Sequence, residues 1–264
     1  MTRKERRKRK KKKGNFLSTL ILIIAIGVFL YAGFQLIKIK KGYWDGEKEY
    51  AKIAEIAIKS GEKTGEQFQV NFDELFAINP DTVGWIRFCP EPSSINYPIV
   101  YTDNNDTYLT KTFRKNENTV GAIFLNAYNT PTFEDNHSII YGHYMNDGSM
   151  FHRLWDYEDK SFYDANPNFY IYTPDGRELT YTIYSVAKVD ENDSSYHTAF
   201  HSIEEFQSFL DKTKEQSIYD TEVALNVADK VVSLSTCTSV NDSMDRWKVV
   251  GVLTNTKELK LGEK

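Results

Sequence analysis

The sequence is poor in the residues that staple or metallate a small fold. Among 264 residues it has 2 Cys and 5 His. Two cysteines exclude a disulfide framework, and they cannot supply a four-thiolate zinc or iron–sulfur centre without several histidines joining in. Nothing repeats along the chain, and beyond the basic N-terminus there is no low-complexity segment. Positive charge is outnumbered by negative charge outside that terminus. The net charge is -4, but residues 1–13 hold ten Lys/Arg and one Glu, which leaves -13 for the rest. A body this acidic repels phosphate backbones, which argues against nucleic-acid binding by the folded part. What is present, 41% hydrophobic and 14% aromatic residues, suits one globular domain with some extra segments.

From Phe16 to Ile37 the chain runs 22 residues without a charge. At ~1.5 Å per residue, a helix of that length spans a ~30 Å hydrocarbon core. A secretory signal has a shorter apolar region of roughly 7–15 residues and a small-residue cleavage site, and neither is clear here. The segment therefore reads as an uncleaved anchor. The basic cluster before it outweighs Lys38, Lys40 and Lys41 after it, so the positive-inside bias keeps the N-terminus in the cytoplasm and everything after residue 41 outside.

Residues 42–46 read as a short linker, followed by an amphipathic helix with Tyr50, Ile53, Ala54 and Ala57 on one face. The polar run 61–67 reads as a loop, and Asn71 as the cap of a short helix carrying Phe72, Leu75 and Phe76. From Asp81 the texture changes to short β-rich runs: 83–88, 97–100, 121–125, 137–142, 169–173, 179–189, 231–237 and 246–254. Turn residues bound each run, which suggests a closed or sandwich-like β domain. One helix interrupts the series. Ser202 is its N-cap, Glu205 completes a capping box, and Ile203, Phe206, Phe209 and Leu210 line one face. Residues 255–264 read as a frayed polar end.

Cys237 closes the run 231–237, which puts its thiol at a strand end, and Arg246 opens the next run nine residues later. An eight-residue loop can bring the two to the same end of the sheet. A guanidinium beside a thiol can hold a substrate carbonyl or stabilise the oxyanion formed when sulfur attacks it. Each residue also has an ordinary reading, the Cys as a small buried hydrophobe and the Arg as a surface charge. His143 follows an apolar strand and precedes a Gly-containing turn, the best placement among the histidines. With a reference pKa near ~6.5, its imidazole can protonate a leaving amine at neutral pH. His197 and His201 are four apart, but no third ligand is apparent and the Ser202 cap puts both before the helix, which speaks against a metal site. His137 and His152 read as local hydrogen-bonding residues and Cys89 as a spectator thiol.

The motifs YGHYMNDGSMF (141–151) and LSTC (234–237), with the Cys237-to-Arg246 spacing, together resemble the sortases, specifically class B. INPDTVGWI (78–86), YPIV (97–100), NDTYL (105–109), GAIFL (121–125) and the late helix at 202–216 extend the likeness over about residues 47–254. Cys89, and the Trp-Lys pair after Arg246 where apolar residues are usual, depart from the pattern. The resemblance implies a mostly β fold with peripheral helices: an eight-stranded β-barrel with N-terminal helices and a helix inserted between two late strands. The plan is then a basic cytoplasmic tail (1–15), a transmembrane anchor (16–37), a linker (38–46), an extracellular catalytic domain (47–254) and a polar tail (255–264).

It further implies a membrane-anchored cysteine transpeptidase of Gram-positive bacteria that needs no cofactor and no metal. Cys237 is the implied nucleophile, His143 the acid and base, and Arg246 the holder of substrate backbone or oxyanion, with Asn105, Leu109 and Ser235 helping to line the groove. The implied partners are secreted proteins with a C-terminal sorting signal and the amine of a lipid II type peptidoglycan precursor. A thiol peptidase that releases product to water and a non-catalytic membrane-anchored binding domain are the alternatives.

Overall fold

A computed structural model describes residues 3–60, 68–237 and 244–259, and the chain divides into two compact units, 1–45 and 46–264. The first described element is one long helix, α1 (Arg3–Ala57). Within it the segment from Ser18 carries a window of mean hydropathy 2.5, long and apolar enough to cross a membrane. The expected linker at 38–46 is helical throughout. Farther along α1, Tyr50, Ile53 and Ala57 are buried at the expected spacing, whereas Ala54 is half-buried. A two-stranded sheet of β1 (Ile58–Ser60) and β2 (Gln69–Val70) follows, with the expected 61–67 loop outside the described residues. Next comes α2 (Phe72–Ile78), where Asn71 holds the N-cap position but its side chain makes no capping bond.

All eight apolar runs become strands: β3 (Thr82–Phe88), β4 (Asn96–Val100), β5 (Ile123–Leu125), β6 (His137–Tyr141), β7 (Asn168–Tyr172), β8 (Arg177–Asp190), β9 (Val231–Cys237) and β10 (Asp245–Glu258). Helix α3 (Lys160–Ala165) precedes β7, and α4 (Ile203–Glu215) lies between β8 and β9. The strands close into a barrel in the order β10-β8-β7-β3-β4-β5-β6-β9, with β9 pairing back to β10. Closure leaves no unpaired sheet edge. Pairing is antiparallel except between β4 and β5 and between β6 and β9. Strand β10 runs four residues into the expected polar tail, because Asn255, Thr256, Lys257 and Glu258 pair with Thr180, Leu179, Glu178 and Arg177 of β8. Backbone pairing, not apolar alternation, makes that extension.

Trp85, Ile86, Ile99, Phe169, Tyr181, Leu234 and Val249 are fully buried. Each such side chain contributes about 1.5–3 kcal/mol relative to exposure. Helix α4 covers part of the barrel: its Phe206, Phe209 and Leu210 pack with Tyr184 of β8, Val231 of β9, and Val250 and Val252 of β10. These strands are therefore buried on both faces, which is why they read as near-continuous apolar runs. The hydroxyl half of the capping box forms as expected, with the Ser202 hydroxyl accepting from Glu205 N at 3.2 Å, whereas the Glu205 carboxylate reaches one residue farther back and accepts from His201 N at 2.6 Å. Ile203 is an exception to the expected face. It is 67% exposed, because it is the first residue of α4 and the packed stretch begins one turn later at Phe206.

Candidate active site

The closed barrel brings three distant segments together at one end of β9. In the parallel β6–β9 pair Tyr141 stands opposite Ser235, and Gly142 N donates to Ser235 O at 3.1 Å. Residue 143 thus leaves the barrel beside the last turn of strand that leads to Cys237. Close packing explains the glycine before it: a Cβ on Gly142 would lie 2.5 Å from Ile123 Cδ1 and 2.7 Å from Phe151. On the other side of β9, Arg246 of β10 pairs directly with Cys237. Directly paired antiparallel residues have Cα atoms about 4.5–5.5 Å apart, so the register places the cysteine backbone next to the arginine backbone. The Cys237 side chain and residues 238–243 of the expected eight-residue loop lie outside the described residues, and the last loop position, Asp245, belongs to β10.

Around this junction is a pocket of about 260 Å³. His143, Arg246, Asn105, Leu109 and Ser235 all line it, joined by Asp106, Phe124, Tyr141, Gly142 and Thr236. Every site residue named from the sequence, apart from Cys237 whose side chain is not described, therefore borders one cavity.

The His143 imidazole is half-buried, and its Nε2 is 2.7 Å from the carbonyl of Leu109. A carbonyl only accepts, so Nε2 carries the proton and Nδ1 is the nitrogen left to gain or lose one. Leu109 comes from the short 3₁₀ turn Thr107–Leu109, whose Tyr108 carbonyl accepts from Ala122 N at 3.0 Å. Gly121 packs against the Cδ2–Nε2 edge of the ring. Its φ of +62° is open to glycine at little cost, and a Cβ there would come within 2.8 Å of His143 Cδ2. The Gly121 carbonyl is held in turn by the Tyr50 hydroxyl at 2.6 Å.

Arg246 is paired with Glu191, which follows β8, and its Nη1 also donates to its own Asp245 carbonyl at 3.2 Å. Tyr141 presents a hydroxyl whose pKa is raised, chiefly by burial and against the opposing pull of Asn126 and the Arg246 charge. The Asn126 amide donates to that hydroxyl at 3.2 Å, and Asn105 joins the same network by donating to Asn126 Oδ1 at 3.4 Å while its own Oδ1 accepts from Ala127 N at 2.8 Å. Asn105 is thus anchored by the loop after β5. The Thr236 hydroxyl, one residue before Cys237, is buried and has no hydrogen-bond partner among the described residues.

The other candidates fall elsewhere. His137 is fully buried, donating through Nδ1 to His197 O and accepting at Nε2 from the Ser233 hydroxyl, both at 2.7 Å. Burial, reinforced by the Lys248 charge, pushes its pKa down to about 3, so it is a neutral structural residue. His152 differs from expectation: its ring stacks on Tyr144 at 4.2 Å, and its buried Nδ1 has no partner among the described residues. His197 and His201 both precede α4. Cys89 is an exposed free thiol. Among the described residues no group of three His, Cys, Asp or Glu is placed to hold a metal. Sequence reasoning missed Tyr141, Phe124 and the Leu109 carbonyl. Tyr141 is the first residue of the YGH run and was legible as a strand end beside His143, but the carbonyl has no sequence signal.

A family model described as the Sortase domain matches residues 91–254. The chain is 32% identical to sortase B of Listeria monocytogenes over 235 residues, covering 86% of this chain and 92% of that protein. The structure of a Staphylococcus aureus sortase B–substrate complex is similar, with a TM-score of 0.65 and 31% identity over 70% of this chain and 84% of that one. Sortase B from Bacillus anthracis gives a TM-score of 0.70 at 29% identity, over 82% of this chain and all of that one (100%). Barrel, pocket and likeness define a cysteine transpeptidase of cell-wall sorting. The chain belongs to the sortase family, in class B. Its substrates are accordingly proteins that carry a sorting signal and a cell-wall amine that accepts them.

Proposed function

We propose that this transpeptidase works through a thioester on Cys237, with His143 and Arg246 completing the catalytic set and Asn105, Leu109 and Ser235 lining the peptide groove. The observation that carries the reading is the shared pocket: five residues from four separate segments border it, and the Cys237 backbone pairs with Arg246 at its edge. The Cys237 thiolate attacks the Thr carbonyl of a C-terminal sorting signal, and Arg246 holds the oxyanion or the adjacent substrate backbone. The C–N bond then breaks as the His143 imidazolium gives its proton to the departing amine. A peptidoglycan-precursor amine of the lipid II type attacks the thioester, His143 takes the proton released, and the thiolate leaves. One amide bond breaks and one forms, without redox change.

The apolar part of α1 is read as an anchor at 16–37, with the tail 1–15 in the cytoplasm and the catalytic domain, 47–254, outside the cell membrane. The test is turnover of a sorting peptide with and without an amine acceptor, read by mass spectrometry. Ligated product that appears only with the amine, loss of all product in Cys237→Ala, and a loss of at least about 100-fold in Arg246→Lys are expected, because lysine lacks the planar fork. Full transpeptidation by either variant would contradict the assignment, and hydrolysed product alone under both conditions would point to a peptidase.

A further inference from the structure

The insertion between β8 and β9 is fastened to the barrel through three successive residues, and one fastening is unusual. Ser195 O accepts from the Lys248 ammonium at 2.5 Å. The Tyr196 hydroxyl meets the Ser235 hydroxyl at 2.8 Å. His197 O accepts from His137 Nδ1 at 2.7 Å. Lys248 lies on β10, two residues beyond Arg246 and directly opposite Ser235 of β9. It is 1% exposed, and Ser195 O is its hydrogen-bond partner among the described residues. No carboxylate among the described residues bonds to it. Its ammonium lies 4.9 Å from the Tyr196 ring and 5.9 Å from the Phe209 ring of α4.

A strand buried on both faces favours an apolar residue at this position, and an ammonium there is costly. Burial pushes the Lys248 pKa down to about 7. Asp193 from the same insertion pulls it up, and Lys212 of α4 pushes it further down. The Tyr196 phenol of the insertion and the His137 imidazole of β6, whose pKa the Lys248 charge helps to lower, also face it. What the lysine gains in exchange is a grip on the short turn Ser194–Tyr196, whose Tyr196 holds Ser235. Ser235 lines the active-site pocket, whereas Tyr196 lines a second groove of about 850 Å³ together with His197, Phe200 and Phe209. The Tyr196–Ser235 bond therefore joins the walls of two concavities.

We propose that Lys248 is a positioning residue for the sorting reaction: acting through the Ser195 carbonyl, it holds the Ser194–Tyr196 turn so that Tyr196 fixes Ser235 in the pocket wall. The inference rests on the reading of that pocket as the peptide site. It concerns binding rather than bond making, because the Lys248 side chain reaches the pocket wall through the Ser195 carbonyl and the Tyr196–Ser235 bond.

The experiment uses the full-length protein in detergent and a fluorogenic peptide that the wild-type enzyme cleaves. Lys248→Met keeps the length of the side chain and removes the donor. At pH 6, where Lys248 is mostly charged, it is expected to raise KM about tenfold, the worth of one charge-assisted hydrogen bond, with kcat within about twofold of wild type. Tyr196→Phe should raise KM similarly. The double variant should be no worse than the poorer single one, since both act through the same bond. Lys248→Val, which suits a buried strand, gives the same reading should methionine not be accommodated. A KM unchanged in Lys248→Met, or effects of the two substitutions that simply add, would overturn the inference. Failure of the wild-type protein to cleave any sorting peptide would instead count against the functional reading.

Discussion

Gly121→Ala isolates the placement of the imidazole from its chemistry. The new Cβ would lie 2.7 Å from Tyr108 O, 2.8 Å from His143 Cδ2 and 3.0 Å from His143 Nε2. The carbonyl belongs to backbone held by Ala122 N, so that turn must shift while the His143 side chain also gives way. To reach ordinary carbon contact near ~3.5 Å, the ring must retreat by roughly 0.7 Å. That retreat breaks or lengthens its 2.7 Å bond to Leu109 O. The hydrogen bond is worth about 1 kcal/mol and the left-handed backbone costs an alanine about 1–2 kcal/mol more, so stability should fall by about 2–3 kcal/mol. A displacement approaching 1 Å costs on the order of 100-fold in rate, so kcat/KM should drop about 30- to 100-fold. Peptide cleavage by the full-length protein in detergent, corrected for the folded fraction from a urea titration, measures both. A variant with kcat/KM within about twofold of wild type per folded molecule would refute the idea that Gly121 sets the ring.

Two further outcomes follow from charges around the site. Because burial holds the Lys248 pKa near 7 in the folded state against about 10.4 in the unfolded chain, the unfolded chain binds more protons between those values. Stability contributed by this position is therefore lowest below pH 7 and rises as pH climbs towards 10. Urea titrations should show the stability of Lys248→Met, relative to wild type, declining by about 3–5 kcal/mol from pH 6 to pH 10. A pH-independent difference would mean that Lys248 is not desolvated as described. Glu191→Gln removes the charge partner of Arg246, which is only partly shielded, with 24% of the arginine side chain and 39% of the glutamate side chain exposed. Its kcat/KM should fall about three- to fivefold, far less than for Arg246→Lys, and a loss as large as that of the lysine variant would show that the ion pair orients the guanidinium.

Much of the architecture was legible because its signals are local. Eight apolar runs bounded by turn residues became the eight barrel strands, and the Ser202–Glu205 capping box announced α4 before its packing was known. Elements shaped by partners were not. The final residues of β10 are polar and exposed and become strand through pairing with β8, and Gly42–Gly46 continue a helix although glycine disfavours one. Asn71 sits at a helix start without using its side chain, since composition marks a cap but not its hydrogen bond. At the site, residue types pointed to His143 and Arg246, but the Leu109 carbonyl that orients the imidazole is backbone and carries no letter of its own. Lys248 stood out as a departure from an apolar strand, yet only the insertion folded over it reveals what its ammonium holds.

Catalysis through Cys237 requires a covalent intermediate. Full-length protein mixed with a cleavable sorting peptide and quenched in acid after seconds should gain the mass of the N-terminal peptide fragment. Hydroxylamine should remove that adduct, and digestion should map it to Cys237. Cleavage that proceeds with no adduct, or an adduct on another residue such as Cys89, would contradict a thioester at the end of β9.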